Sequence, residues 1–581
     1  MLHARFVRLV PAIRTIHGVE FFDYALPANH DFDIGDIVRF PFRRQLIEGM
    51  IVAFLDSSPF EAKIRPLASQ TPLLRLGEQA KKFLEQTAWQ TITPQPSVLS
   101  SWLRTVPKRA VGIPISVSRS ASNEPHPSTL THFLLDRWHG EQGLFNQIAQ
   151  AKGPVLVLTP WRHRAEQIAQ LCQGMVLHAD ITDGEAWKAI QTFCLQETRV
   201  LIATRIGAWL SCVAQTILID EPEHDDHKQD EASPRYDARW MAATAKSQRP
   251  EISLQAFSTT PRLQRDPITS SIPTIEPLPI LDPWVQGHRA DHIPVLTESS
   301  ILELEDALHN KKPAVIVHPT EGLHGRISCR DCGWGARCDA CGFSLTQMIH
   351  GAECRRCGKR SPAPDHCPQC GGMDLSRGRI GRDKLEILCA KHFGAQKITI
   401  VSPIGLESVD IREGCVVVTD VQGFSGVVED IRRKERLAIN LRRLAARCAI
   451  ERARLVWHGS IDSVQECSDW LSADGLRRLW DTERAERALF SYPPMARLIK
   501  VIVDGTDAEI QSFTQKLKQK LDTTWFVRGP FVIPFRAKQR KPRQIIHIIA
   551  PSHVSISSIL SALQPFASQA IFDLDPVSFF C

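Results

Sequence analysis

Eight of the sixteen cysteines lie close together, between positions 329 and 370. They form four C-x-x-C pairs, which read CRDC, CDAC, CRRC and CPQC and are separated by five, twelve and nine residues. Two thiolates at this spacing can hold one tetrahedral zinc ion, and a closed structural site uses four such ligands. The cluster is therefore sufficient for two four-cysteine sites, built from Cys329, Cys332, Cys338, Cys341, Cys354, Cys357, Cys367 and Cys370.

Glycine follows the second cysteine of every pair, and it allows the chain to turn so that backbone N–H groups point at sulfur. Disulfides and an iron–sulfur cluster are the alternatives. Disulfides are disfavoured because the chain shows no secretion features, and a cluster is disfavoured by the paired spacing. The pattern favours two structural Zn²⁺ ions per chain. The other cysteines are scattered singly, as is typical of small buried side chains.

The stretch QTILIDEPEH (215–224) resembles a strand that delivers Asp220 and Glu221 to nucleotide-bound magnesium. Such a site needs a phosphate loop, but G-x-x-x-x-G-K-[ST] does not occur in the chain. Upstream, THFLLDRWHGEQGLFNQIAQAK has no glycine run and no lysine before Lys152. Because carboxylates at the end of a strand are also common without a catalytic role, we predict no catalytic residue.

The elements that position these residues follow from hydrophobic periodicity. Short alternating apolar segments predict a β-rich domain at the N-terminus, and a Pro/Ser-rich stretch after it predicts a linker. Between 153 and about 260, apolar strands alternate with amphipathic helices, which predicts a parallel α/β sheet. A second α/β segment starts at 313, and the cysteine cluster interrupts it. The fold class predicted is a multidomain α/β protein.

Length and composition limit the class of protein. A chain of 581 residues is expected to form about three to five domains, and 43% hydrophobic with 23% charged residues is ordinary for a globular protein. The formal charge of +6 means that a nucleic-acid surface must come from local basic clusters. No apolar run approaches the roughly 18–20 residues of a membrane span, and no signal peptide is visible. We therefore expect a cytoplasmic protein with no membrane partner.

Several further segments form a recognisable series, namely FFDYALP (21–27), GDIVRFPF (35–42), TILIDEPEHDDH (216–227), FSTTPRL (257–263), CRDCGWGARCDACG (329–342) and FDLDP (572–576). The order of these motifs resembles the PriA family, the replication-restart primosomal proteins N′, which are superfamily 2 DNA helicases.

The resemblance implies a domain layout. It comprises a β-rich 3′-end DNA-binding domain (1–91), a linker (92–129), a helicase-like lobe 1 without phosphate loop (130–294), the start of lobe 2 (295–325), an inserted zinc module (326–373), the rest of lobe 2 (374–484) and a C-terminal DNA-binding α+β domain (485–581). The two lobes are expected to be degenerate RecA-like domains.

The resemblance also implies site residues. Cys329, Cys332, Cys367 and Cys370 are expected to share one zinc, and Cys338, Cys341, Cys354 and Cys357 the other. The strand-end pocket is expected at Phe22, Asp23 and Tyr24, although composition alone favours an ordinary core strand. In the basic stretch RAKQRKPR (536–543), Lys538, Arg540 and Lys541 are expected to contact DNA.

Residues 431–455 hold nine basic side chains against two acidic ones, and Leu437, Leu441, Leu444 and Cys448 form a helical apolar stripe. The basic face is predicted either to follow DNA phosphates or to be a solvated helix face.

The departures from the family separate two hypotheses. The phosphate loop and the lobe 2 motif G-T-Q-M-x-x-K-G are missing, and Q-V-A-G-R-A-G-R is replaced by LRRLAARCA (441–449). The first hypothesis is a protein without helicase activity that recognises stalled or branched forks and helps to assemble the primosome. Its partners are forked and single-stranded DNA, single-stranded DNA-binding protein, and primosome or replicative-helicase loading proteins. The alternative is an active ATP-dependent 3′–5′ DNA helicase with a divergent nucleotide site.

Overall fold

The structure is a computed structural model of the chain. It describes residues 5–13, 19–27, 30–60, 64–68, 71–104, 106, 140–258, 260–265, 272–283, 293–320, 322, 324–339, 342–354, 358–376, 380–394, 397–425, 431–532 and 543–578. The chain divides into two compact units. Unit 1 comprises Met1–Ser258, Met495–Phe531 and Gln544–Cys581, and unit 2 comprises Thr259–Pro494 and Val532–Arg543.

Unit 1 begins with a five-stranded antiparallel sheet in the order β2-β1-β4-β3-β5. Its strands are β1 (Phe6–Pro11), β2 (Phe22–Ala25), β3 (Asp36–Phe42), β4 (Gln45–Leu55) and β5 (Leu74–Arg75). Side chains alternate between the two faces of each strand, so Val7, Leu9 and Tyr24 enter one apolar cluster of the sheet. β2 lies at the edge, and its last residue, Ala25, forms a parallel bridge with Pro66.

Two helices follow the sheet, α1 (Glu78–Thr91) and α2 (Gln95–Trp102). The second lies inside the stretch 92–129 that the sequence predicts as a linker. Val98, Leu99 and Trp102 of α2 are buried in the same core as α1 and the following α/β domain, and Pro96 stands in the first turn, where proline is tolerated. The many prolines and serines of this stretch hid the helix from sequence analysis, so the linker prediction is wrong for residues 95–102.

The first α/β domain contains a parallel five-stranded sheet in the order β10-β9-β6-β8-β7. Its elements are α3 (Gly140–Gln150), β6 (Val155–Leu158), α4 (Arg162–Cys172), β7 (Met175–Leu177), α5 (Asp183–Cys194), β8 (Val200–Ala203), β9 (Thr216–Asp220), α6 (Ala238–Gln248) and β10 (Ser253–Phe257). Every residue of β6, β8 and β9 is buried, because helices cover both faces of the sheet.

The C-terminal segment of unit 1 forms a four-stranded sheet in the order β23-β24-β22-β25. Its elements are β22 (Ala496–Asp504), α12 (Asp507–Lys520), β23 (Phe526–Val532), β24 (Arg543–Pro551), α13 (Ile556–Leu563) and β25 (Ile571–Leu574). Asp573 of the FDLDP motif is fully buried and lies 3.1 Å from Lys228 Nζ, 3.3 Å from Arg235 Nη1 and 3.7 Å from Lys500 Nζ. This motif is thus a buried ionic anchor between β25 and the segment after β9.

Unit 2 contains a second parallel sheet, in the order β11-β21-β20-β12-β19. Its elements are β11 (Ile280–Pro283), α7 (Glu298–His309), β12 (Ala314–Val317), α8 (Arg382–Phe393), β19 (Thr399–Val401), β20 (Cys415–Val418), α9 (Arg433–Glu451), β21 (Arg454–Gly459), α10 (Ile461–Asp469) and α11 (Ala473–Leu489). The sequence layout places 280–283 in lobe 1 (130–294), but β11 pairs with β21, Ile280 opposite Val456. The boundary differs because a short strand among prolines has no visible periodicity.

The cysteine-rich module is inserted between β12 and α8. It is built from small antiparallel ladders, β13-β15-β16-β17 and β14-β18. The strands are β13 (His324–Arg326), β14 (Ser328–Cys329), β15 (Leu345–Met348), β16 (Gly351–Cys354), β17 (Arg360–Ser361) and β18 (Leu375–Ser376). In the part of the chain described, no helix has the length and apolar character needed to cross a bilayer.

Candidate functional site

The first cysteine of each pair and the glycine that follows each pair form the same two backbone hydrogen bonds. In each turn, the N–H of the first cysteine donates to the carbonyl five residues later, and the N–H of the glycine donates back to the carbonyl of that cysteine. These bonds measure 2.7–3.1 Å in all four turns. The glycines are Gly333, Gly342, Gly358 and Gly371, with φ between 71° and 74°. No heavy atom would contact an added Cβ, so glycine is needed for its backbone angle and not for space.

The first and last pairs come together. The sulfurs of Cys329, Cys332, Cys367 and Cys370 all lie within 4.8 Å of one another. Two distances across the pairs, from Cys329 to Cys370 and from Cys332 to Cys367, are 3.6 Å each. A disulfide requires about 2.05 Å, whereas a tetrahedral ion with Zn–S bonds of about 2.3 Å places its sulfurs roughly 3.7–3.8 Å apart. This cluster can hold a metal ion, and its sulfur geometry fits zinc.

The inner pairs are described in part, since Cys341 and Cys357 lie outside the described residues. Cys338 and Cys354 are buried in one small apolar cluster. An ion pair of 2.8 Å joins Lys359 Nζ to Asp339, one residue from each inner turn region. The two inner turns therefore face each other, as a shared site requires, while the second metal site remains a prediction.

In the N-terminal domain, Phe22 and Tyr24 lie on the core face of β2. The Tyr24 hydroxyl donates to the Pro41 carbonyl at 2.8 Å, and its side chain is buried. The Phe22 ring packs edge-on against Phe42, with centroids 5.3 Å apart. The predicted pocket residues are thus divided between two faces of the strand, because the intervening Asp23 points the opposite way.

Asp23 forms a bidentate ion pair with Arg8, which lies directly opposite on β1. Arg8 Nε donates to Oδ1 at 2.8 Å and Nη2 donates to Oδ2 at 3.1 Å, while the Ser58 hydroxyl donates to Oδ2 at 2.8 Å. The hydrogen bond from Arg8 lowers the pKa of Asp23. Sequence reasoning missed Arg8 and Ser58, because only the strand register and the path of the loop after β4 reveal these contacts.

Asp220 lies at the C-terminal end of β9, as the sequence predicts. Its Oδ2 accepts hydrogen bonds from Thr159 Oγ1 at 3.0 Å and from Arg164 Nε at 3.1 Å. His227 contacts the Asp220 carbonyl through Nε2 at 2.9 Å, and burial lowers the pKa of His227 to about 4. Arg164 and Thr159 thus bind one oxygen of the carboxylate expected at a magnesium site.

The segment LRRLAARCA lies in the middle of α9, and its first arginine is fully buried. Arg442 Nε donates to Thr260 Oγ1 of the FSTTPRL motif at 3.1 Å. Its other nitrogens donate to the carbonyls of Trp470, Leu471 and Pro273 at 2.6–2.8 Å. Burial lowers the pKa of Arg442 to about 10, so the guanidinium stays charged at neutral pH. Within unit 2, Arg442 thus links α9 by hydrogen bonds to Thr260, Pro273 and Trp470.

The two neighbouring arginines of α9 are also bound internally. Arg443 pairs with Glu407 at 3.0 Å, and Arg447 donates to the carbonyls of Leu406 and Val409 at 2.9 and 2.6 Å. The apolar stripe of Leu437, Leu441, Leu444 and Cys448 is buried, which confirms that prediction. Arg442, Arg443 and Arg447 bind groups within unit 2. For these three arginines both predicted roles, contact with DNA phosphates and a solvated helix face, are therefore wrong.

The predicted DNA contacts Lys538, Arg540 and Lys541 lie outside the described residues. The flanking strands β23 and β24 are adjacent in the C-terminal sheet, so the basic stretch connects neighbouring strands.

Residues 15–104 match the family model PriA_3primeBD, described as "3′DNA-binding domain (3′BD)". The curated relatives include three proteins called "Replication restart protein PriA". That of Bacillus subtilis is 23% identical, over 58% of this chain and 45% of the relative. That of Chlamydia trachomatis is 22% identical, over 70% and 61%. That of Rickettsia conorii is 22% identical, over 96% and 98%. The chain thus spans about half the length of the Bacillus protein.

The fold and these matches define a multidomain α/β protein that carries a 3′ DNA-binding domain and a cysteine cluster able to hold a metal ion. The chain is similar to members of the PriA family, which are named replication restart proteins, and its match to the 3′ DNA-binding domain covers residues 15–104.

Proposed function

We propose that this chain is a replication restart protein that recognises stalled or branched DNA forks in the cytoplasm and recruits primosome components without acting as a motor. The observation that carries the proposal is the match of residues 15–104, which contain β2 to β5 and the two helices that follow, to a 3′ DNA-binding domain. The two parallel α/β sheets are taken as degenerate RecA-like helicase lobes. The partners are forked and single-stranded DNA, single-stranded DNA-binding protein, and proteins that load the replicative helicase.

Two zinc ions stabilise the cysteine-rich module in this proposal. The outer ion is held by Cys329, Cys332, Cys367 and Cys370, whose sulfur spacing suits a tetrahedral ion. The inner ion is held by Cys338, Cys341, Cys354 and Cys357. A closed four-sulfur site supplies folding energy and no open coordination position, so the chemistry expected of these ions is structural.

The absence of motor activity is supported by the contacts of two motif residues. ATP-driven helicases need a carboxylate free to act on nucleotide-bound magnesium and arginines free to reach the triphosphate. Here Arg164 and Thr159 bind Oδ2 of Asp220, and Arg442 is buried among internal acceptors. The stretch expected to hold the phosphate loop also lacks a glycine run, and its first lysine is Lys152. The alternative, a helicase with a divergent nucleotide site, gains no support from these contacts.

DNA affinity is expected from two regions. Lys538, Arg540 and Lys541 provide salt-sensitive contacts to phosphates that do not depend on sequence. The N-terminal pocket at Asp23, which lies on the face of β2 opposite to Phe22 and Tyr24, provides the preference for a 3′ end of the nascent strand. The pocket is expected to contribute about 1–3 kcal/mol of discrimination.

The test compares a fork that has a nascent 3′ end at the junction with a fork that lacks the nascent strand. Asp23→Ala is expected to reduce the preference for the 3′ end more than overall binding. Replacing Lys538, Arg540 and Lys541 by glutamine is expected to weaken binding to both forks and to reduce the salt slope by about 0.9 for each phosphate that is no longer neutralised. The matched control replaces three lysines of α12, Lys516, Lys518 and Lys520, and is expected to bind nearly as the wild type does.

Equal affinity for the two forks, unchanged by Asp23→Ala, would remove the pocket from the proposal. A decrease in affinity of the α12 control equal to that of the basic-stretch variant would show that only the net charge matters.

A further inference from the structure

The four cysteines of the outer cluster differ in their exposure to solvent. Cys332 and Cys370, which end their pairs, are exposed, whereas Cys329 and Cys367, which begin them, are 3% and 0% exposed. Every other cysteine in the part of the chain that the structure describes is buried or half-buried. A reagent in solution therefore reaches Cys332 and Cys370 more readily than any other described cysteine.

Each exposed cysteine has a buried partner in the other pair. Cys332 Sγ lies 3.6 Å from Cys367 Sγ, and Cys370 Sγ lies 3.6 Å from Cys329 Sγ. A shift of about 1.5 Å would bring either couple to the S–S bond length of about 2.05 Å. An accessible cysteine beside a second cysteine that can close a disulfide is the arrangement found in thiols that sense oxidants.

Ionisation separates the outer cluster from the isolated cysteines. Burial raises the pKa of Cys389 and of Cys415 to about 12, so both stay protonated at neutral pH. Only the thiolate is a strong nucleophile, and a cysteine that holds zinc is deprotonated. Among the described cysteines, exposure and a thiolate form therefore coincide at Cys332 and Cys370 when the outer site is loaded.

A carboxylate lies beside the cluster and favours an uncharged oxidant. Asp331 Oδ2 lies 3.9 Å from Cys329 Sγ. Its negative charge disfavours the approach of anionic disulfides, whereas hydrogen peroxide is small and neutral.

We propose that the outer cluster is an oxidation site that loses its zinc in response to hydrogen peroxide. Cys332 and Cys370 are the sulfurs attacked, and the buried sulfurs complete the disulfides. The inference rests on the outer zinc ion of the proposed function. Because that ion supports local folding, its loss loosens the module.

The chemistry proceeds in two steps at each couple. The Cys332 thiolate attacks a peroxide oxygen, so that an S–O bond forms, the O–O bond breaks and, with one proton, water leaves. The Cys367 thiolate then attacks the resulting sulfenic sulfur, so that the S–S bond forms and, with a second proton, the sulfenic oxygen leaves as water. Two electrons pass from the couple to one peroxide. Cys370 and Cys329 react in the same way with a second peroxide, which leaves no thiolate to hold the ion.

The test treats the purified, zinc-loaded chain with excess hydrogen peroxide and follows zinc release with a chromogenic chelator. One zinc ion is expected to leave the outer site, and dithiothreitol with Zn²⁺ should restore it. Dimedone, which traps sulfenic acids, should label Cys332 and Cys370 at least about tenfold more than Cys329 and Cys367. Peptide mapping should find the disulfides Cys332–Cys367 and Cys329–Cys370, which trypsin separates because it cleaves after Arg330.

Cysteines outside the module provide the controls. Cys389 and Cys415 should remain unlabelled in the same samples because they are buried and protonated. Cys172→Ser, which removes a half-buried thiol, should release zinc at the wild-type rate.

Two results would overturn the inference: a wild-type chain that keeps all of its zinc in excess peroxide, or dimedone labelling that is equal at the exposed and the buried cysteines of the cluster. In both cases the untreated chain still contains the outer ion, so the proposed zinc site survives. An untreated chain that holds no ion at these four cysteines would instead remove the proposed outer site and the inference together.

Discussion

Arg442, Asp220 and Asp23 are charged residues whose surroundings decide their role. The Arg442 guanidinium donates to a hydroxyl and three carbonyls inside unit 2, and it has no exposed surface. Asp220 and Asp23 each accept from an arginine, Arg164 and Arg8 respectively. Removing the partner of a buried carboxylate such as Asp220 costs more than the pair contributes, since it leaves a desolvated charge. These residues are therefore expected to be sensitive to substitution even where they perform no chemistry.

Asp36 provides a residue-scale prediction about pH. It is 1% exposed at the start of β3, and burial raises its pKa to about 7. Since the folded-state pKa lies above the unfolded value of about 3.9, the contribution of Asp36 to stability is present below about pH 4 and is lost as pH rises towards 7, by at most about 1.4 kcal/mol per pH unit. Asp36→Asn does not titrate. Its β3 and β4 amides should therefore gain hydrogen-exchange protection relative to wild type between about pH 4 and pH 7.

The control for this prediction is Asp56→Asn, an exposed carboxylate just after β4. It should match the wild type at each pH. A protection difference between Asp36→Asn and wild type that is the same at both ends of this pH range would contradict the assigned titration.

At the scale of elements, the cysteine-rich module depends on four copies of one turn. Each copy places a glycine at φ between 71° and 74° and closes two backbone hydrogen bonds around its first cysteine. The ladders between them are only two to four residues long. Strands this short bury little apolar surface, so metal ligation is expected to provide most of the folding free energy of the module.

The prediction at this scale is two zinc ions per folded chain, measured by metal analysis. Cys332→Ser should remove the outer ion and leave one zinc, and Cys338→Ser should remove the inner ion and also leave one. Each loss of zinc should increase proteolysis within the module, because binding is coupled to local folding. Cys172→Ser, a change at a half-buried cysteine outside the module, should retain both ions. A measured content of one zinc ion or none in the wild-type chain would contradict the assignment of two sites.

At the scale of the whole molecule, the resemblance to PriA extends over most of the chain. Asp220 and Arg442, which lie in the segments expected to contact ATP and its magnesium ion, bind other residues of the protein instead. The Rickettsia conorii relative is aligned over 96% of this chain. The FDLDP motif provides a buried anchor within unit 1, where Asp573 binds Lys228, Arg235 and Lys500. We therefore expect that the architecture has been kept for binding and assembly.

The corresponding prediction is that DNA does not stimulate ATP hydrolysis by the purified chain. Asp220→Asn should not change the background turnover. It should lower the free energy of unfolding by about 1–3 kcal/mol, because Arg164 loses its ionised partner. Turnover that co-purifies with the chain and disappears in both Asp220→Asn and Glu221→Gln would establish the helicase alternative instead. Fork binding measured on the same samples separates an inactive preparation from a protein without motor activity.

The sequence by itself determined the features that depend on neighbouring residues. The C-x-x-C spacing and the following glycines predicted the cysteine turns, because both thiols and the positive φ lie within one turn. Alternation of apolar strands with amphipathic helices predicted the parallel sheets, because burial on both faces leaves a local pattern. The burial of Leu437, Leu441, Leu444 and Cys448 followed from helical spacing for the same reason.

Only the tertiary structure decided which distant residues meet. The bonds from Arg8 to Asp23, from Arg442 to Thr260 and from Arg235 to Asp573 join residues 15, 182 and 338 positions apart. The helix α2 within the predicted linker and the pairing of β11 with β21 were hidden in the same way. No local period encodes such contacts, because strand register and the packing of separate elements are set by the whole core. Because of these contacts, Arg235 and Arg442 are buried, whereas the Arg8 side chain is 38% exposed.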